Sequence, residues 1–313
     1  MEKLLPLEEK PCLTSYFYYS YTLGILEGNG LSCKGVLFNH FTTLFFPLQL
    51  NCVIFLKGFP LGGRLRKSFY EEKINGLASG SITYVKRLID ENKYVIIYLN
   101  NKTITNVPST RDWIHDWLLF GYNKNGFHAA GYIFNPESRA LTYKTIEIRY
   151  EDFLTSLANS PLLYQNRALS VRCTPESIRL RKIKRAIFIY AYNLLPLLFN
   201  AKIYRKYAFL FRLRYHKNEK NIDLHSFKTF DEHKRLLQQM MHEFVPGSTA
   251  AQEFQSIVNL ASTIQMTALK YNITKRNKQK AIDTICDALH KLRVEEPRIM
   301  RIFYRELKGL PKP

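Results

Sequence analysis

Hydrophobic and polar positions follow different rhythms in the two halves of the chain. Cys12 to Leu26 is apolar or aromatic on nearly every face and stops at Gly28-Asn29-Gly30. That run predicts a fully buried helix starting at Cys12, although so much Tyr and Phe would also suit a strand. Leu61–Lys67 reads as a loop or turn. Ser81–Asn92 predicts a short amphipathic helix with a polar stop. Tyr94–Leu99 is β-branched and aromatic, a buried strand closed by Asn100 and Asn101. Trp113–Tyr122 and Phe127–Phe134 predict two more strands. Between them Asn123-Lys124-Asn125-Gly126 suits a hairpin, because Asn-Gly tolerates positive φ. Asn135 to Ser138 is the next turn, Leu141–Ile148 alternates as a strand, and Tyr150–Leu157 begins a helix.

Beyond this point the period changes to that of helices. Glu176–Phe199, after Pro175, is basic in its first half and apolar in its second, and Pro196 should kink or end it. Ala201–Tyr215, Phe230–Phe244, Ser248–Tyr271 and Ala281–Leu292 follow as helices, with Pro246-Gly247 as a stop. The expected fold class is α+β. Residues 1–170 form one domain and residues 171–313 an all-helical one, with the boundary where strand signals give way to basic helices.

Composition narrows the possibilities. The 313 residues are 46% hydrophobic and 14% aromatic, which excludes a disordered chain and a small disulfide scaffold. The formal charge is +20, and it is uneven. Residues 1–173 hold 19 basic and 14 acidic side chains, a net of +5. Residues 174–313 hold 27 and 12, a net of +15. A field of that sign attracts acidic proteins, nucleic acid or anionic lipid. The start, with Glu2, Glu8 and Glu9, has no signal-like apolar region. The apolar stretches Gly35–Leu56 and Ala186–Asn200 carry polar residues and fall short of a bilayer span. A cytoplasmic protein is expected. Five cysteines without CxxC spacing argue against a disulfide framework and against zinc.

Two residues stand out chemically. Cys12 follows Pro11 at the expected helix start, where unpaired N–H groups and the helix dipole would favour a thiolate. His115 lies at the beginning of a strand, where it can serve as base to a thiol on another element. The run of Tyr94–Asn101, then His115 six residues before Gly121-Tyr122, the hairpin, and Ile148–Leu157 resembles the butirosin-biosynthesis H-type N-terminal domain. It is more distantly similar to double-glycine peptidases and the papain-like fold. The resemblance covers about residues 1–160. It implies a cysteine-peptidase-like domain, with Cys12 as nucleophile, His115 as base, and Asn100, Asn101 and Tyr122 near the substrate. It implies acyl transfer, in which an acyl group passes from the phosphopantetheine thioester of an acidic carrier protein to Cys12 and then to a small amine or peptide in bacterial secondary metabolism, or the related hydrolysis of a peptide or amide with water as acceptor. No bound cofactor is implied. The family usually places an Asp on the returning strand to orient the His. Here that stretch reads Ala129-Ala130-Gly131, so Asn135 is the candidate substitute, and an inactive relative stays open.

Each feature has a plainer reading. A lone cysteine is usually packing. Cys33, Cys52, Cys173 and Cys286 read as structural, and His128 as a surface or supporting residue. His233 and His242 are nine apart, which is not metal-ligand spacing. The main rival signal is basic: twelve cations and only Glu219 as an anion between Ile178 and Lys220, with Tyr190, Tyr192, Tyr204, Tyr207 and Tyr215 interleaved. This would suit a non-catalytic protein that stacks nucleic-acid bases on those rings, or one that lies on an anionic membrane surface. The plainest alternative is a helical lid or homodimer interface with a solvated basic face.

Overall fold

A computed structural model describes residues 2–31, 33–34, 37–38, 41, 44–45, 54–55, 69–73, 81–109, 112–135, 140–161, 169–173, 195–217 and 221–309. The expected loop at 61–67, the turn at 136–138 and most of the expected helix at 176–199 lie outside them. The architecture is mixed α and β, and its contacts divide into two units. Residues 1–33 and 60–178 form the first, residues 34–59 and 179–313 the second.

The first unit is built on an antiparallel sheet. Its strands are β1 (Lys3–Leu4), β4 (Phe69–Lys73), β5 (Tyr94–Asn100), β6 (Ile114–Tyr122), β7 (Gly126–Asn135), β8 (Ala140–Arg149) and β9 (Leu169–Cys173). The order is β4-β9-β5-β6-β7-β8, with β1 on β6 at Gly121 and Tyr122. The strand β9 lies where the sequence pattern suggested that strands had ended. It earns its place by pairing with both β4 and β5.

The β6–β7 turn forms as expected but by a different device. Neither Asn125 nor Gly126 has positive φ. The Asn123 side chain instead accepts from the N–H of Asn125 at 2.7 Å and of Gly126 at 3.0 Å, an Asx turn.

Helices cover both faces of the sheet. Phe127 and Tyr132 are five residues apart on β7 and so point to opposite faces. Phe127 packs against Phe153 of α3 (Tyr150–Ala158), ring centroids 4.9 Å apart. The hydroxyl of Tyr132 is 2.9 Å from Ser20 of α1 (Phe17–Gly28). Tyr122, opposite Phe127 in register, reaches Asp90 at the end of α2 (Ser81–Asp90). Thus α1 lies on one face, α2 and α3 on the other. Residues 5–8 run along α1 so closely that a Cβ on Gly28 would sit 2.5 Å from the Leu7 backbone.

The second unit contains the short strands β2 (Leu44–Phe45) and β3 (Ile54–Phe55) and helices α4 (Leu195–Lys217), α5 (Leu224–Phe244), α6 (Thr249–Glu253), α7 (Gln255–Thr274) and α8 (Lys278–Gly309). The segment 34–59, expected with the first domain, belongs here. Lys34 pairs with Glu243 at 2.8 Å, and Phe38 packs edge-on against Phe244. Pro196 is the second described residue of α4, and the helix expected before it lies outside the described residues. The expected helix over 248–271 is two, broken at Phe254. The one expected over 281–292 runs on through Pro297 to Gly309. Lys275 and Asn277, both left-handed, make the turn between α7 and α8.

The core of this unit is aromatic, with Tyr207, Phe211, Phe227 and Phe230 in mutual contact. It also encloses a charged pair. Lys234 Nζ is 2.8 Å from Glu296 Oε2, with side chains 0% and 1% exposed. Tyr204 donates its hydroxyl to the same carboxylate at 2.6 Å, and His233 Nδ1 lies 2.8 Å from the ammonium. Burial pushes the Lys234 pKa down, while Glu296 opposes that shift.

Candidate active site

The most developed constellation in the first unit is centred on His115. Strand β6 carries His115 opposite Leu99 of β5. Its Nδ1 is 3.0 Å from the carboxylate of Asp116 and 3.1 Å from the Asp116 carbonyl oxygen. The two side chains are 17% and 4% exposed. Burial disfavours the imidazolium, but the hydrogen bond and charge of Asp116 outweigh it. The His115 pKa is therefore raised above its ordinary value. Asp116 is itself held: Tyr21 of α1 donates to its carbonyl oxygen at 3.0 Å. The rings of Trp113 and Tyr132 stand 4.9 Å and 6.0 Å from the imidazole.

The orienting carboxylate that the returning strand lacks is thus supplied by the neighbour of the histidine. Asn135, the expected substitute, ends β7 and pairs with Ala140. Since Gly131 pairs with Trp117, continuing that register sets Asn135 level with Trp113. It shares the strand end with His115, whose Nδ1 is held by Asp116 at 3.0 Å.

Cys12 is exposed, and it is not at a helix N-terminus. Helix α1 starts at Phe17, five residues later, after Tyr16. The Cys12 thiol instead hydrogen-bonds Glu27 in the last turn of α1, and Cys33 contacts the same carboxyl. The expected stabilisation of a thiolate by a helix N-terminus is therefore absent from this contact. Burial raises the Glu27 pKa, against the lowering effect of the Cys12 hydrogen bonds. Thr14, two residues after Cys12, accepts at its carbonyl from the Tyr132 hydroxyl at 2.9 Å, and the Tyr132 ring stands 6.0 Å from the imidazole.

Asn100, Asn101 and Tyr122, expected near substrate, are all buried. Asn100 caps the turn after β5 by accepting from the Lys102 N–H at 3.1 Å, and it donates to Asp112. Asn101 accepts from the Trp117 indole at 2.8 Å. The Tyr122 hydroxyl donates to Asp90 at 2.7 Å, which pushes its pKa up to about 12. These contacts belong to the sheet and its helices, while Asn101 Nδ2 is buried without a hydrogen-bond partner among the described residues.

Asp116 and Glu27 were not singled out by sequence reasoning. For Asp116 a signal existed, since a carboxylate adjoins the candidate base. For Glu27 none did, because its pairing with Cys12 depends on how residues 5–12 fold back along α1.

The basic half is also rearranged. Tyr204, Tyr207 and Tyr215 are buried, so they offer no platform for bases. Tyr190 and Tyr192 lie outside the described residues. On α4, Lys202, Arg205, Lys206 and Arg212 are exposed, with Phe209 and Leu213 among them. Among the described residues no group of three or more His, Cys, Asp or Glu could hold a metal ion. No helix there is long and apolar enough to cross a membrane. Compared with known proteins, the chain matches no family model and no curated sequence.

Proposed function

We propose that the first unit is a cysteine-peptidase-like domain that transfers acyl groups through the Cys12 thiol, with His115 as base. The observation that carries this reading is the half-buried imidazole held at Nδ1 by the buried Asp116, because that contact orients the other ring nitrogen for proton transfer. In the first half-reaction His115 takes the thiol proton and the sulfur attacks a thioester carbonyl. The carbon–sulfur bond to the donor breaks, and the donor thiol leaves with that proton. In the second, an amine attacks the Cys12 thioester, its proton passes through His115, and the Cys12 thiol is regenerated. The phosphopantetheine thioester of an acidic carrier protein suits the donor role, and the +15 second half suits its docking.

The test uses the whole chain. A thiol probe should label Cys12 at neutral pH faster than the other four cysteines. An acyl N-acetylcysteamine thioester should transfer its acyl group to hydroxylamine, and Cys12→Ala and His115→Gln should each abolish that turnover. Equal labelling of all cysteines, or turnover that survives Cys12→Ala, would remove the proposal.

A further inference from the structure

The second unit contains a cavity of about 320 Å³ between α4 and α8, for which the acyl-transfer reading has no use. Its apolar floor is Ala208 and Cys286, backed by Tyr204 and Leu289, which are 0% exposed. These positions recur at helical spacing, so one face of each helix supplies them. Burial pushes the Cys286 thiol pKa up, so the floor stays neutral. The rim carries Arg205 and Arg212 from α4 and His290 and Arg293 from α8, against the single carboxylate of Asp287. Arg212 is engaged by Asp283 at 3.6 Å. Among the described residues neither Arg205 nor Arg293 takes part in an ion pair. Phe209, 63% exposed, stands at the mouth as an uncovered ring.

We infer that this cavity binds a small organic phosphate, with an aromatic or apolar body on the floor and the phosphate between Arg205 and Arg293. Each part of the site calls for one part of that ligand. A guanidinium fork matches phosphate oxygens in bidentate fashion, and two such forks suit a dianion. A floor of Ala208 and Cys286 beside the exposed Phe209 ring gives an inorganic ion nothing, but it removes the body of an amphipathic anion from water. The volume is at the small end of ligand sites, which excludes a long polymer as the fitted occupant.

Tyr204 ties the floor to the interior. It backs the cavity from a fully buried position while its hydroxyl is bonded to Glu296 beside Lys234. The floor is thereby backed by a buried polar cluster.

The experiment titrates the full chain with 1-naphthyl phosphate, 1-naphthol and inorganic phosphate by calorimetry. Naphthyl phosphate should bind saturably, at least tenfold tighter than either fragment. Arg205→Gln with Arg293→Gln should weaken it at least tenfold, leaving naphthol unchanged. Ala208→Leu, which fills the cavity from a half-buried position, should abolish binding with the thermal melt preserved. Vesicles of phosphatidylglycerol and phosphatidylcholine form the second arm. Naphthyl phosphate binding no better than phosphate would overturn the inference. So would vesicle binding that Ala208→Leu leaves intact when naphthyl phosphate does not bind. All these readouts are independent of Cys12 labelling, so this site and the acyl-transfer reading stand or fall separately.

Discussion

Replacing Glu296 by Gln removes one charge from a pair that water does not reach. Lys234 and Glu296 are 0% and 1% exposed and 2.8 Å apart. The glutamine still accepts from Tyr204, so the change isolates the charge. At an effective dielectric of about 20, attraction across that distance is worth roughly 6 kcal/mol, less the cost of desolvating both ions. Breaking such a pair from one side costs about 3–5 kcal/mol. There is an upper bound, because Lys234 can shed its proton. From an unfolded value near 10.4, neutralising it at pH 7 costs about 1.36 kcal/mol per unit, or roughly 4.6 kcal/mol. The variant should therefore lose about 3–4.6 kcal/mol at pH 7. In it the folded state binds fewer protons than the unfolded one, so its stability should climb as the pH rises toward the unfolded lysine value. Urea unfolding followed by circular dichroism at pH 7 and pH 9 reads both effects. Lys234→Met with Glu296→Leu should recover most of the loss, since no buried charge is left uncompensated. A loss under about 1 kcal/mol at pH 7, or one independent of pH, would refute the reasoning.

The His115–Asp116 contact carries a pH signature of the opposite sense. A raised imidazole pKa gives stability that is full below the unfolded value of about 6.5 and lost as pH rises through the folded value. Asp116→Asn should flatten that fall, measured as urea midpoints between pH 5.5 and 8; an unchanged slope would show that Asp116 does not govern the titration. Glu27→Gln removes the carboxyl at Cys12. At a water-exposed sulfur a charge about 4 Å away is worth about 1 kcal/mol, so alkylation of Cys12 should quicken about fivefold, and no change would mean the carboxyl does not hold the thiol neutral. Gly28→Ala puts a Cβ 2.5 Å from the Leu7 backbone and should cost about 1–3 kcal/mol in a thermal or urea melt, whereas an unaltered melt would mean that residues 5–8 do not pack on α1.

Much of the local structure was legible because it depends on side-chain period. The strands β5 to β8, the turn at Asn123 and helices α2, α3 and α5 follow from alternation, from helical spacing and from turn chemistry. The ends were less legible. Helix α8 passes Leu292 and Pro297 because its face stays buried to Leu307, a packing fact rather than a propensity. The mechanism of the Asn123 turn also differed, since a side-chain carboxamide replaced positive φ.

The candidate site divides in the same way. By itself the chain placed a histidine at the start of a β-strand, a cysteine near its amino terminus and the excess cations in its second half. Only tertiary structure decided that Asp116 holds His115, because strand alternation argues that adjacent residues point apart. Only it set Cys12 beside Glu27, buried the tyrosines between the cations, and joined residues 34–59 to the helical unit. Period is a property of neighbours along the chain, whereas a catalytic contact, a buried ion pair or a cavity depends on distances between residues that folding alone brings together.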